Sequence, residues 1–197
     1  ANHYAHYTNV THYQRFSDKL GLTAGVAYRS DGQYFNHSIS GLKADADRSL
    51  RAHTRLLYRP SDVVNIDLHV NYELCTQDAF PYYLESVSDN DYFKDQLTQD
   101  IGRITSNDEN SYLRHLLNIG LKAEHNWPKV TLSNVLGFQL LNDDMKMDQD
   151  FSHLSIYTLQ QKQYSRTLSE EIAVKNRPGA WRHWEWSTGV SLFYQIA

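Results

Sequence analysis

Cysteine occurs once in 197 residues, as Cys75, so no internal disulfide and no multi-cysteine zinc or iron–sulfur site can form. With no evident base beside it, that thiol is a poor nucleophile, and its expected role is that of a small strand-end residue. Proline (4) and glycine (9) are scarce, and 41% hydrophobic with 13% aromatic residues excludes a disordered chain. Basic residues do not dominate: 19 Lys and Arg face 23 Asp and Glu, with no basic block, so the electrostatic footprint of a nucleic-acid binder is missing. No run of 18 apolar residues exists, so no membrane helix is expected, and the first residues lack the charged start and apolar stretch of a signal peptide. One route through a membrane stays open. A transmembrane β-barrel needs only segments of about ten residues that alternate apolar and polar.

Alternation is what the chain has. In VVNIDLHVNYEL, Val64, Ile66, Leu68, Val70, Tyr72 and Leu74 alternate with Asn65, Asp67, His69, Asn71 and Glu73, the period of a strand with one apolar face. The same pattern runs through LGLTAGVAYRS, where Leu20, Leu22, Ala24, Val26 and Tyr28 share a face. It recurs in LRAHTRLLYRP, with Arg51, His53 and Arg55 opposite Leu50, Ala52, Thr54, Leu56 and Tyr58, and in LLNIGLKAE. Trp184, Trp186, Thr188, Val190, Leu192 and Tyr194 oppose Glu185, Ser187, Gly189, Ser191 and Gln195, while Leu57 and Phe193 break the pattern. KVTLSNVLGFQLL and QYSRTLSEEIAVK are less regular and are also read as strands. The opening HYAHYTNVTHYQRF puts His3 on one strand face and His6 with His12 on the other, the latter two about 20 Å apart, so they cannot share one metal ion.

About eight strands emerge, each joined to its sequence neighbour, which predicts an all-β antiparallel up-and-down meander forming one region over residues 1–197. The connections alternate in length. Short turns fall at 16–19, 59–62, 126–129 and 175–181, and long loops at 31–47, 76–112 and 142–161, the sorting expected of an outer-membrane barrel. Phe16, Tyr58, Trp127, Trp181, Trp184 and Trp186 cluster near the turns, as an interfacial belt in a membrane or as core and cap residues in a soluble protein.

Four segments then carry a resemblance. SDKLGLTAGVAYRSDGQYFNH, RLLYRPSDVVNIDLHVNYE, KVTLSNVLGFQLLNDDMKMDQDF and QYSRTLSEEIAVKNRPGAWRHWEWSTGVSLFYQ are similar, in order and spacing, to successive hairpins of TonB-dependent outer-membrane receptors of the ferric-siderophore type. The resemblance implies part of the transmembrane wall of a barrel of about 22 strands around a plug. It further implies an outer-membrane location, contact with lipid, active uptake of a ferric siderophore or similar iron complex, and partnership with a plug domain and the TonB system through the full-length protein. Neither plug nor TonB box is recognisable, so the chain is expected to be an excerpt of the barrel wall. No enzymatic activity, cofactor or resident metal is implied. The alternative is a self-contained eight-stranded barrel acting as an adhesin or ligand-binding module, in which the first and last strands pair.

Candidate site residues follow from both readings. Arg51, His53, Arg55, Asp67, His69 and Asn71 are expected on a polar, lumen-facing surface, either contacting a plug or substrate route or simply wetting the lumen. Phe80, Tyr82, Tyr83, Tyr92 and Phe93 give the long loop an aromatic density suited to stacking on a flat ligand, with Lys94, Arg103 and Arg114 to assist an anionic one; packing between loops is the competing reading. Glu170 and Glu171 fall on opposite strand faces and cannot act on one substrate. Asp143, Asp144, Asp148 and Asp150 lack the loop pattern of a calcium site and are expected to form a solvated acidic loop.

Overall fold

The computed structural model describes residues 5–32, 34–42, 44–78, 80–181 and 184–197; His3 lies outside them. Eight strands, β1 (His6–Arg15), β2 (Leu20–Gly32), β3 (Ala46–Ser61), β4 (Val64–Gln77), β5 (Ser111–Asn126), β6 (Val130–Asp148), β7 (Thr158–Asn176) and β8 (Ser187–Ile196), form one antiparallel sheet in sequence order. The only helical pieces among the described residues are α1 (Lys94–Leu97) and a 3₁₀ turn, Thr98–Asp100, both inside the longest loop and neither anticipated by the strand pattern. No described helix is long and apolar enough to cross a membrane.

Cross-strand partners share a face, so the registers sort every strand residue into one of two surfaces. One row runs Leu22, Leu56, Leu68, Leu121, Leu136, Glu170, Leu192 from β2 to β8, and the next runs Ala24, Thr54, Val70, Ile119, Phe138, Leu168, Tyr194. These two rows are aliphatic and aromatic with one carboxylate, Glu170, which accepts a hydrogen bond from Asn134 Nδ2 at 2.9 Å, and toward the loop end the same face carries the Asp144–Lys162 pair. The opposite face is polar and laced with charge pairs. β1 is polar on both faces, with His6, Thr8, His12 and Gln14 on the apolar side of the sheet.

Among the described residues no element packs on the apolar face. Among the described residues the buried hydrophobic side chains are Ala44, Leu97 and Ile104, all in loops, while Val26, Leu50, Leu168, Val190 and Leu192 stand exposed on the sheet. The accessible surface is 13457 Å², against roughly 9,600 Å² expected for a folded monomer of 22.9 kDa. The excess measures an amphipathic wall without a second layer. Among the described residues β1 and β8 each pair on one side only, so the sheet is open and the pairing of first with last strand required by a self-contained barrel is absent.

Strand ends depart from the sequence reading at three places. β6 continues to Asp148 and β7 begins at Thr158, because alternation persists through NDDMKMD: Asp144 and Lys162 meet on one face, Arg114 and Asp143 on the other. The loop expected at 142–161 therefore shrinks to 149–157. β8 starts at Ser187 rather than at Trp184, so the last short turn lengthens and carries Trp181, Trp184 and Trp186. A register shift between Tyr58 and Ser61 marks the turn after β3, where Pro60 cannot donate to the ladder.

Candidate functional site

The core of the molecule sits at the loop end. Ser38 N donates to Ile104 O at 2.7 Å, His37 Nε2 lies 2.7 Å from Ser106 O, and Thr105 Oγ1 donates to Phe151 O at 3.4 Å, so three loops are sewn into one cap. Buried carboxylates hold it. Asp148 Oδ2 accepts from the backbone N–H groups of Asn107 (2.9 Å) and Asp108 (3.2 Å), while its own N–H donates to Asn110 Oδ1 at 2.9 Å. Asp150 accepts from Ser152 N and Oγ through one oxygen and from Ile156 N and Tyr157 N through the other. Asp100 Oδ2 lies 2.7 Å from His153 Nδ1 and accepts from His153 N at 3.1 Å. Short loops without regular structure must satisfy their buried N–H groups from side chains, and aspartate is the residue that reaches.

This corrects the expectation of a solvated acidic loop. Asp148 is 0% exposed and Asp150 8%, and both are structural acceptors. Asp143 and Asp144 belong to β6, on opposite faces. Among the described residues no group of three or more His, Cys, Asp or Glu could hold a metal ion. Burial pushes the Asp148 carboxyl above its ordinary value, outweighing the downward pull of its amide donors, with Asp150 adding to the rise. Asp148 Oδ1 has no partner among the described residues.

The aromatic loop residues divide into two groups. Phe80 and Tyr82 stack at 5.9 Å and 8°, and Tyr82 meets Phe151 edge-on at 5.6 Å, a contact between two loops. A cleft of about 460 Å³ lies against this pair, lined also by the Arg29–Asp31 ion pair (2.6 Å), Tyr34 and Asp45. Phe80 also borders a second cleft of about 400 Å³ with His37, Leu42 and Asn110. Tyr92 and Phe93 form a separate edge-to-face pair at 5.0 Å beside α1, with Tyr92 92% exposed, and Tyr83 is exposed on its own. The expected platform of five rings is thus a two-ring cleft wall plus an outlying pair.

The cations expected to assist it are mostly engaged. Lys94 pairs with Asp89 at 2.6 Å, Arg114 pairs with Asp143 at 3.1 Å on the polar sheet face, and Arg103 donates to Gln99 O at 3.4 Å. Arg29, Tyr34 and Phe151 border the aromatic wall instead, and the strand pattern held no signal for them because the loops decide who meets whom.

Arg51, His53, Arg55, Asp67, His69 and Asn71 all lie on the polar face. Arg51 pairs with Glu73 at 2.6 Å, Arg55 with Asp67 at 2.6 Å, and His69 Nε2 lies 2.9 Å from Asp67 Oδ1. His53 and Asn71 are cross-strand partners, and the His53 ring lies over Gly25, where an added Cβ would meet its Cε1 at 2.4 Å. Glu170 and Glu171 do project to opposite faces. The Cys75 thiol lies near the outer end of β4 and donates to Asp47 Oδ2 at 3.9 Å. No family model matches the chain, and no curated protein matches it.

Proposed function

We propose that this chain is a stretch of transmembrane β-barrel wall in an outer-membrane receptor of the TonB-dependent type, with the loop cap as the outward face that captures a ferric siderophore or similar iron complex. The observation that carries the reading is the bare apolar face of β2 to β8 backed by an ion-paired polar face. Apolar patches on soluble monomers rarely exceed a few hundred Å², and a lipid-facing wall is the arrangement in which such a surface is at its minimum of free energy. The loops support the orientation: they gather into a structured cap at one end, while three of the four connections at the other end are of four residues or fewer. All four tryptophans, Trp127, Trp181, Trp184 and Trp186, sit at that turn end, where a membrane interface would place them. Closing the barrel requires strands beyond the open edges of β1 and β8. Uptake itself belongs to the full-length protein with its plug and the TonB system.

The experiment is depth-resolved quenching of tryptophan fluorescence in vesicles whose lipids carry bromine at different acyl positions. All four tryptophans are expected at one shallow depth, with quenching strongest for bromines nearest the headgroups. Emission that no brominated lipid quenches overturns the wall reading. For the cap, Tyr82→Ala removes the ring shared by Phe80 and Phe151. It is expected to weaken capture of a ferric hydroxamate siderophore by about tenfold, the scale of one lost aromatic contact. Equal binding by the variant places recognition elsewhere.

A further inference from the structure

Charge is sorted between the two ends of the sheet. In the three long loops acidic residues outnumber basic ones several-fold, whereas the described residues of the turn end carry Arg15, Lys19, Arg59, Lys129, Lys175 and Arg177 against Asp18, Asp62 and Glu185. Pairing differs as well. Near the loops Arg48 pairs with Asp78 at 2.9 Å and Lys94 with Asp89 at 2.6 Å. At the turn end Arg15 is taken by Asp18, but among the described residues the other five cations have no ion-pair partner, and all five are exposed.

Two of those five are built into a cluster with tryptophan. The β5–β6 turn and the β7–β8 connection lie side by side: Arg177 N donates to Lys129 O at 2.9 Å, and Arg177 Nη1 donates to Trp127 O at 3.4 Å. Lys129 Nζ stands 5.7 Å from the centre of the Trp181 ring. Neither indole is covered by the described chain, with Trp127 44% and Trp181 49% exposed. A similar link joins the β1–β2 turn to the end of β3, where Lys19 Nζ donates to Pro60 O at 2.9 Å and Arg59 N to Lys19 O at 2.7 Å.

We infer that the turn end binds anionic phospholipid in preference to zwitterionic phospholipid. Indoles of an interfacial belt settle at headgroup level, where the phosphate diester is the nearest anion, and lysine or arginine held beside them draws lipid of net negative charge. Lys129 and Arg177 would meet that headgroup while Trp127 and Trp181 lie against the glycerol and upper acyl carbons. An acidic protein segment is the rival claimant of the cations, but it gives four exposed indoles nothing to enter. A lipid meets both.

This rests on the wall reading, and the two fail differently. All four tryptophans sit at the turn end, so their fluorescence reports on that site alone. The test places the full chain in vesicles of mixed phosphatidylcholine and phosphatidylglycerol, with bromine carried by one lipid or the other at equal mole fraction. Brominated phosphatidylglycerol is expected to reach the tryptophans about fivefold more readily, the scale of one lysine or arginine near a charged surface. The preference is expected to vanish in molar salt, where the Debye length is about 3 Å. The double variant Lys129→Gln, Arg177→Gln is expected to bring the two lipids to parity, and the salt series keeps the test decisive if that variant fails to fold. Equal quenching by both lipids in the wild type overturns the preference alone and leaves the cations to an acidic protein segment. So does a preference that survives molar salt or the folded double variant. Quenching by neither lipid removes the wall reading and this inference with it.

Discussion

Ile119→Arg is expected to abolish stable insertion into a bilayer. Ile119 lies in the middle of the apolar face, between Val70 on β4 and Phe138 on β6, with Leu117 and Leu121 two residues away along its own strand. A guanidinium on the lipid face near the midplane costs about 2–4 kcal/mol, a large part of the stability a domain has to lose. Ser133→Arg is the matched control. Ser133 is on the polar face opposite Glu124, so the new cation gains a carboxylate neighbour and little change is expected. The comparison is read as the urea midpoint of the chain folded in phospholipid vesicles, and insertion of Ile119→Arg with the wild-type midpoint would sink the wall reading. Glu170 shows what the face does tolerate: an anion costs less there than a cation, and Asn134 supplies it with a donor.

Why Ile119 and Ser133 can be chosen at all goes back to what the sequence makes legible. Period two survives in any single strand, so the faces of β2 to β5 and β8 follow from the letters, and neighbours joined by short turns pair antiparallel of necessity. Acidic residues obscured the outer half of β6. Asp143 and Asp144 look like loop residues until Arg114 and Lys162 on the flanking strands are seen to neutralise them, and pairing across strands is invisible to a one-dimensional pattern. The candidate site was less legible still. Phe80 and Tyr82 are prominent as aromatics, but Phe151 and Arg29, which border the same wall, come from other parts of the chain.

The cap yields the other large effect, through Asp148. Removing its carboxylate in Asp148→Ala strips the acceptor from two backbone N–H groups, at about 1–3 kcal/mol for each donor left buried without a partner. The amides of Asn107 and Asp108 are then expected to exchange with deuterium faster by about a hundredfold, measured by mass spectrometry on the folded chain. Asp148→Asn keeps an acceptor oxygen and separates shape from charge. Because burial holds the Asp148 carboxyl above its ordinary 3.8, the folded cap binds that proton more tightly than the unfolded chain does. Its contribution is therefore fully present below about pH 4 and is lost as pH rises through the elevated value, the reverse of an aspartate held by an arginine. Asp108 and Asp150 reinforce this, since each is a carboxylate close enough to oppose a second negative charge. The difference in cap protection between wild type and Asp148→Asn is thus expected to be small at pH 3.5 and to grow in favour of the asparagine by pH 7. A difference that stays flat across that range would mean that Asp148 titrates like an exposed carboxylate and that its burial carries no electrostatic cost.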